Sequence, residues 1–274
     1  MVEVVKTEPG KEETVKDFVA FDMPQNALRR VMDVFIKGLK RSSSDDAEVL
    51  VYVTEDGLRF AGVNGGHTVM CIAYINRGMT NNFRFSRDHT FGMDLKKVRS
   101  VLLYVKDQNA MVHFVQNDDM ITIAGADGFT KTFPVLEDAS VIKVPSIGYD
   151  NGGVVEAAAL YSAVNMASDV NEHVKLTGDG NTLVVSAVRD QEKKTTIEIP
   201  VKVLNGKFAG EHSTFDAELL LPVLGALKPY DIMVRLKIEK KDRSITTMPM
   251  KISFKTKDNG IKGYVLMAPL AEPD

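Results

Sequence analysis

Two groups of cations have the type and spacing to do chemistry, and that chemistry is contact with phosphate. In "LRRVMDVFIKGLKR" the residues Arg29, Arg30, Lys37, Lys40 and Arg41 recur along a helix-forming stretch, and "DLKKV" adds Lys96 and Lys97. At 100° per residue the apolar set Leu28, Val31, Met32, Phe35, Ile36 and Leu39 falls within about 60° to 80° of one direction. The five cations lie opposite, with only Asp33 among them. Lys96 and Lys97 likewise turn away from Leu95, Val98 and Leu102. A lone cationic helix is ordinarily a solvated face. Here residues 25–106 hold thirteen Lys/Arg against eight Asp/Glu, while residues 144–227 hold six against eleven, so the cations gather on one half of a chain whose formal net charge is -3. Cationic helix faces without interleaved aromatics suit sequence-independent phosphate contact, not base reading.

Nothing in the chain offers a catalytic set. There is no G-x-x-x-x-G-K-[ST] loop, no metal-spaced His/Cys group and no G-x-S-x-G elbow. His67, His89, His113, His173 and His212 stand singly, the Gly-rich pieces at Asn64 and Gly125 read as turns, and Asp118–Asp119 reads as a solvated turn. The expectation is a protein that is not an enzyme and has no cofactor and no metal. The single cysteine, Cys71 in "TVMCIAYI", reads as a buried thiol. No run of about 18 apolar residues appears, and the charged start "MVEVVKTEPGKEETVKD" is unlike a signal peptide. No membrane partner and an intracellular location are therefore expected.

The elements that must position these cations come in two similar series. With 274 residues and 44% hydrophobic content, the chain can build one large domain or two of about 130 residues. A helix from Pro24 to about "RSSSDD" is followed by strand text with a turn at Asp56-Gly57, then by a short helix capped by Asp94, then by more strand text. The second half has the Ala-rich "VVEAAALYSAVNMAS", strands about the turn in "VKLTGDGN", a short helix capped by Asp216 in "STFDAELLLPVLGAL", and closing hairpins. Thr177 follows Thr54 by 123 residues, and the "TF" at Thr214 follows that at Thr90 by 124. Two unrelated phrases with one offset predict a duplicated unit. The predicted architecture is α+β, two similar helix-plus-antiparallel-sheet domains in tandem. A flexible extension covers 1–17, the domains cover 18–135 and 154–274, and a connector covers 136–153.

On these residues the chain resembles the DNA sliding clamps of the proliferating cell nuclear antigen (PCNA) type, archaeal-like or viral. The most specific pieces are "FGMDLKKV", "VIKVPS" and the terminal "LMAPL", within a likeness over about residues 18–271. The resemblance implies a ring of three subunits around duplex DNA, with helices inside and sheets outside. It implies no activity of its own, and partners that dock through PCNA-interacting peptides: DNA polymerase, clamp loader, nuclease and ligase. It places Arg29, Arg30, Lys96 and Lys97 on the inner face, with Lys37, Lys40 and Arg41 added from the helix periodicity. It places the peptide groove at Val63 and His67, at Ile142, Val144 and Pro145 of the connector, and at Pro249, Leu266, Met267, Ala268 and Pro269.

One departure stands out. The first helix of the second half has no cation, and the second has only Lys228. Two other readings therefore remain: an open processivity factor of one or two subunits, and an adaptor that keeps the groove but not DNA. The free strand edges expected to join copies are "MITIAGADG" and "NTLVVSAV".

Overall fold

The structure is a computed structural model that describes residues 16–39, 48–105, 107, 109–136, 142–149, 151–189, 193–205, 208, 210–241 and 244–270. In the first half β1 (Phe18–Pro24) leads directly into α1 (Gln25–Leu39), followed by β2 (Glu48–Thr54), β3 (Gly57–Val63), β4 (Val69–Asn76), β5 (Asn81–Phe85) and β6 (His89–Asp94). Then come α2 (Leu95–Leu102), β7 (Met111–Asn117), β8 (Met120–Gly125) and β9 (Thr130–Pro134). The second half repeats the order: β10 (Gly152–Val155), α3 (Ala157–Ser168), β11 (His173–Asp179), β12 (Thr182–Val188), β13 (Lys194–Pro200), β14 (Lys202–Asn205) and β15 (His212–Asp216). It closes with α4 (Ala217–Leu227), β16 (Asp231–Arg235), the hairpin β17 (Ile238–Lys241) and β18 (Ser244–Thr247), β19 (Met250–Lys255) and β20 (Ile261–Met267). Among the described residues two pieces break the correspondence: the 3-10 turn Arg77–Met79 between β4 and β5, and the β17–β18 hairpin, which stands where the first half has the tight turn at Asp118–Asp119.

Sheet order repeats as faithfully as element order. The first half forms β5-β1-β7-β8-β9 and β4-β3-β2-β6; the second forms β14-β10-β16-β19-β20 and β13-β12-β11-β15. All these pairings are antiparallel. The halves meet where β20 pairs with β4, from Ile261 opposite Ile75 to Met267 opposite Val69, which fuses two of the four sheets into one of nine strands. By the same correspondence β9 matches β20 and β13 matches β4, yet among the described residues β9 and β13 have no partner on their outer sides. This corrects the expected edges. "MITIAGADG" lies on β8 and its turn, "NTLVVSAV" on β12, and both strands are flanked on each side. The edges β9 and β13 follow them in sequence and carry Lys131, Lys194 and Glu198 among threonines.

Local chemistry explains the elements. Asp94 Oδ1 accepts from Lys96 N at 2.9 Å and Lys97 N at 3.2 Å, and Asp216 Oδ1 accepts from Glu218 N at 2.8 Å, so each short helix has its cap. The Asp-Gly turns place Gly57 at φ 130° and Gly180 at φ 59°, conformations that disfavour other residues. In α1, Leu28, Val31, Met32, Phe35 and Leu39 are buried, and Ile36 is half-buried against them. Cys71 is buried, and burial raises its thiol pKa. The pieces "VVE" and "STF" are strand and cap, not helix, because their alternating apolar residues face the core.

Candidate functional site

The four α-helices of the described residues form one row. α1 packs on α2 and on α4, and α4 packs on α3, while α1 lies against β4, β1 and β3, and α3 against β11, β12 and β13. Sheets therefore cover one side of the row, and its other side carries the exposed helix residues. On the first half that side presents Arg30 and Lys37 from α1 and Lys96 and Lys97 from α2, all exposed, with Arg29 half-buried. Lys40 and Arg41 lie outside the described residues. Asp33 is matched locally: Arg99 Nε donates to its Oδ1 at 2.9 Å, and Arg29 Nε stands 3.9 Å from its Oδ2. Arg99 thus ties α2 to α1 and neutralises Asp33, while Asp94 stands 3.5 Å from Lys97 Nζ. Sequence reasoning missed Arg99, because its place depends on packing between two helices, not on either helix's own period.

The second site is on the other side of the molecule, the outer face of the nine-stranded sheet. Along β4 and β20 alternate residues point out, so Met70 and Leu266 share this face, while Val69 and Met267 belong to the core. Met267, 1% exposed, packs into the core, which corrects its placement in the groove; Leu266, 6% exposed, is also buried but takes the outer face. Val63 stands opposite Met70, and Met70 opposite Leu266. The connector crosses here, and a cavity of about 510 Å3 is lined by Val63, His67, Met70, Leu50, Glu48 and Ile142. Its loop is held by buried Asn64, whose Oδ1 accepts from Thr68 N at 2.9 Å and Val69 N at 3.0 Å, leaving His67 exposed at φ 53°. Ala268 N donates to Thr68 O at 2.8 Å, which sets half-buried Ala268 and Pro269 beside that loop. Val144 and Pro145 are exposed on the connector, and the Tyr149 hydroxyl donates to the Pro249 carbonyl. The geometry therefore brings Val63, His67 and Ile142 together at one cavity, with Leu266 and Ala268 next in register.

A helix row backed by four sheets of repeated order, with a connector over the outer face, matches known structures over nearly its whole length. The structure of A. fulgidus PCNA with the C-terminal region of FEN-1 bound superposes with a TM-score of 0.79 at 14% identity, covering 93% of this chain and 100% of that one. PCNA of Thermococcus kodakaraensis gives 0.77 at 14% identity over 92% and 100%. The chain has the PCNA-type sliding-clamp fold. Curated proteins similar to this chain include the DNA polymerase sliding clamps of Methanococcus vannielii, 24% identical over 251 residues (87% of this chain, 96% of the relative), and of Picrophilus torridus, 21% identical over 249 residues (88% and 98%). No family model matches the chain. Among its described residues no helix is long and apolar enough to cross a membrane, and no group of three or more His, Cys, Asp or Glu is placed to hold a metal.

Proposed function

We propose that the chain is a DNA sliding clamp and polymerase processivity factor, closing as a homotrimer around duplex DNA with the helix row inward. Domains 18–135 and 154–274 are joined by the expected connector 136–153, whose last two residues, Gly152 and Gly153, already belong to β10 of the second domain. One observation carries this reading: the internal seam, β20 on β4, has an unused counterpart in β9 and β13. Pairing β9 of one copy with β13 of the next repeats that seam head to tail, and a heterologous contact of this kind generates a closed ring when its rotation closes. The contact leaves the cations of α1 and α2 on the inner wall, where Arg29, Arg30, Lys37, Lys96 and Lys97 touch phosphates without reading bases. Polymerase, clamp loader, nuclease and ligase would dock through short peptides in the groove at Val63, His67, Ile142, Val144, Pro145, Pro249, Leu266, Ala268 and Pro269, in the cellular compartment that holds the replicating DNA.

Two measurements test it. Native mass at tens of micromolar should be three times the 30.2 kDa of one chain. After loading, the clamp should stay on circular DNA far longer than on linear DNA with open ends; a strictly monomeric mass, or equally fast escape from both, defeats the ring. For the groove, replacing Ile142 and Val144 by Ser should weaken binding of the FEN-1 C-terminal peptide without unfolding the protein, since a few buried contacts carry such interfaces.

A further inference from the structure

We propose that the groove takes an acidic peptide: a carboxylate on the partner, near its apolar anchor, is received by Arg235 and Lys251. The proposal rests on the groove reading above and adds the chemistry of its far end. Across the outer face one row of the sheet runs Val63, Met70, Leu266, Lys251, Arg235, each directly opposite the next on neighbouring strands. The row begins apolar and ends in two cations side by side. Like charges directly opposite one another in a sheet are destabilising, and more so when water is restricted. Both are half-buried.

Nothing described in the chain supplies the counterion. Among the described residues no carboxylate stands within ion-pair distance of Arg235 or Lys251. Arg235 Nη1 donates to Ser253 Oγ at 2.7 Å, and Lys251 Nζ lies 4.2 Å from the centroid of the Tyr264 ring. Burial lowers the pKa of both, and the neighbouring Arg235 lowers that of Lys251 further. Tyr149, on the connector above, cannot serve: burial pushes its pKa up to about 12, against the opposing pull of Arg235, so it stays a neutral donor to Pro249. Lys237 Nζ donates to Gly148 O at 2.8 Å at the same end of the connector. An arriving carboxylate would offset two desolvated charges at once and would form charge-assisted hydrogen bonds.

A peptide fits better than a free anion because the cations continue the apolar row without a break. Neighbouring strands lie about 4.8 Å apart, which puts Lys251 about 5 Å and Arg235 about 10 Å from Leu266. At about 3.3 Å per extended residue, the carboxylate belongs one to three residues from the side chain that covers Leu266.

The probe is the FEN-1 C-terminal peptide in a synthetic series with Asp placed at each position in turn, every Asp peptide paired with its Asn counterpart. Against the parent protein at low salt, Asp should bind about tenfold more tightly than Asn at one or two neighbouring positions, the size expected of a close interfacial charge pair. Lys251→Met and Arg235→Gln, tested separately, should each cut that preference to about threefold or less while the Asn peptides bind as before. No preference at any position, or a preference that survives both substitutions, overturns the acidic anchor and leaves the groove intact. A series that fails to bind the parent at all defeats the groove reading and the anchor with it.

Discussion

The helix faces of the two halves occupy equivalent places and present opposite chemistry. On the first, Arg30, Lys37, Lys96 and Lys97 are exposed and Arg29 and Arg99 bracket Asp33. On the second, α3 exposes Ala158, Ser162, Asn165 and Met166, and α4 exposes Glu218 and Pro222. The one cation there, Lys228, lies with Nζ 3.5 Å from the centroid of the Tyr161 ring. The buried positions differ far less in kind: Leu28, Val31 and Phe35 hold α1 down, and Leu160, Val164 and Ala167 hold α3 down. A fold depends on its buried stripe, so a duplicated domain can keep its architecture while its outer face sheds nearly all its cations. In a ring of three, cationic and neutral faces would alternate, and DNA would be gripped by one domain of each pair.

The largest expected effect breaks that asymmetry. Changing Arg29, Arg30, Lys96 and Lys97 to Ala should lower affinity for a short linear duplex at least tenfold at low salt. It should also flatten the dependence of log K on log salt by about 3 to 4, at about 0.9 for each phosphate no longer neutralised. Lys228→Ala should change the same affinity less than about twofold. Equal losses from the two halves would show that the faces are not functionally distinct. Ser162→Lys with Met166→Lys sharpens the contrast, because cations added to the neutral face should steepen the salt slope.

A second comparison concerns two helical glycines. A Cβ on Gly38 of α1 would stand 2.7 Å from Cys71 Sγ on β4, while one on Gly225 of α4 would meet the Tyr161 ring at 3.5 Å, an ordinary contact. Gly38→Ala should therefore destabilise by about 1 to 2 kcal/mol, because helix and sheet must separate in a packed core. Gly225→Ala should be neutral or stabilising by up to about 1 kcal/mol from helix propensity. Denaturant midpoints of both variants decide it; similar losses would mean that α4 sits as tightly as α1.

These contrasts also show what the sequence could disclose. Positions that obey a local rule were legible: the caps Asp94 and Asp216, the turn glycines Gly57 and Gly180, and the 100° period that set Arg30 and Lys37 opposite Leu28. Strand β1 was not, because "FVAFDMP" follows a charged stretch and runs into a helix without a turn. That β9 and β13, not β8 and β12, are the edges was missed because sheet order is set by long-range pairing and not by the local text of a strand. Leu266 and Met267 could be told apart only once the strand's facing was known. Lys251 and Arg235 lie sixteen residues apart in sequence and meet only through the register of β16 and β19. No local pattern announces such a pair.

The smallest expected effect lies on the outer faces, where the same sheet position is polar in one half and apolar in the other. Asp22 on β1 stands opposite His113 on β7, and Val154 on β10 opposite Met233 on β16, each three residues before its helix begins. Burial raises the pKa of Asp22, but hydrogen bonds from Asn82 Nδ2 at 2.6 Å and His113 Nδ1 at 2.5 Å more than offset it, and the net shift is downward. A carboxyl whose folded pKa lies below its unfolded value of about 3.9 stabilises the fold above that value. That contribution fades as pH falls through the folded pKa. Because the pair is partly open to water, it should amount to less than about 1 kcal/mol at pH 7. Asp22→Asn should lose that small increment at pH 7 and should converge with the parent below about pH 4, as the parent's own carboxylate protonates. Val154→Ala in the other half should instead lower stability by an amount that does not vary across the same range. If the difference between Asp22→Asn and the parent is flat in pH from 3 to 7, the Asp22–His113 contact contributes through packing alone, as its apolar counterpart does.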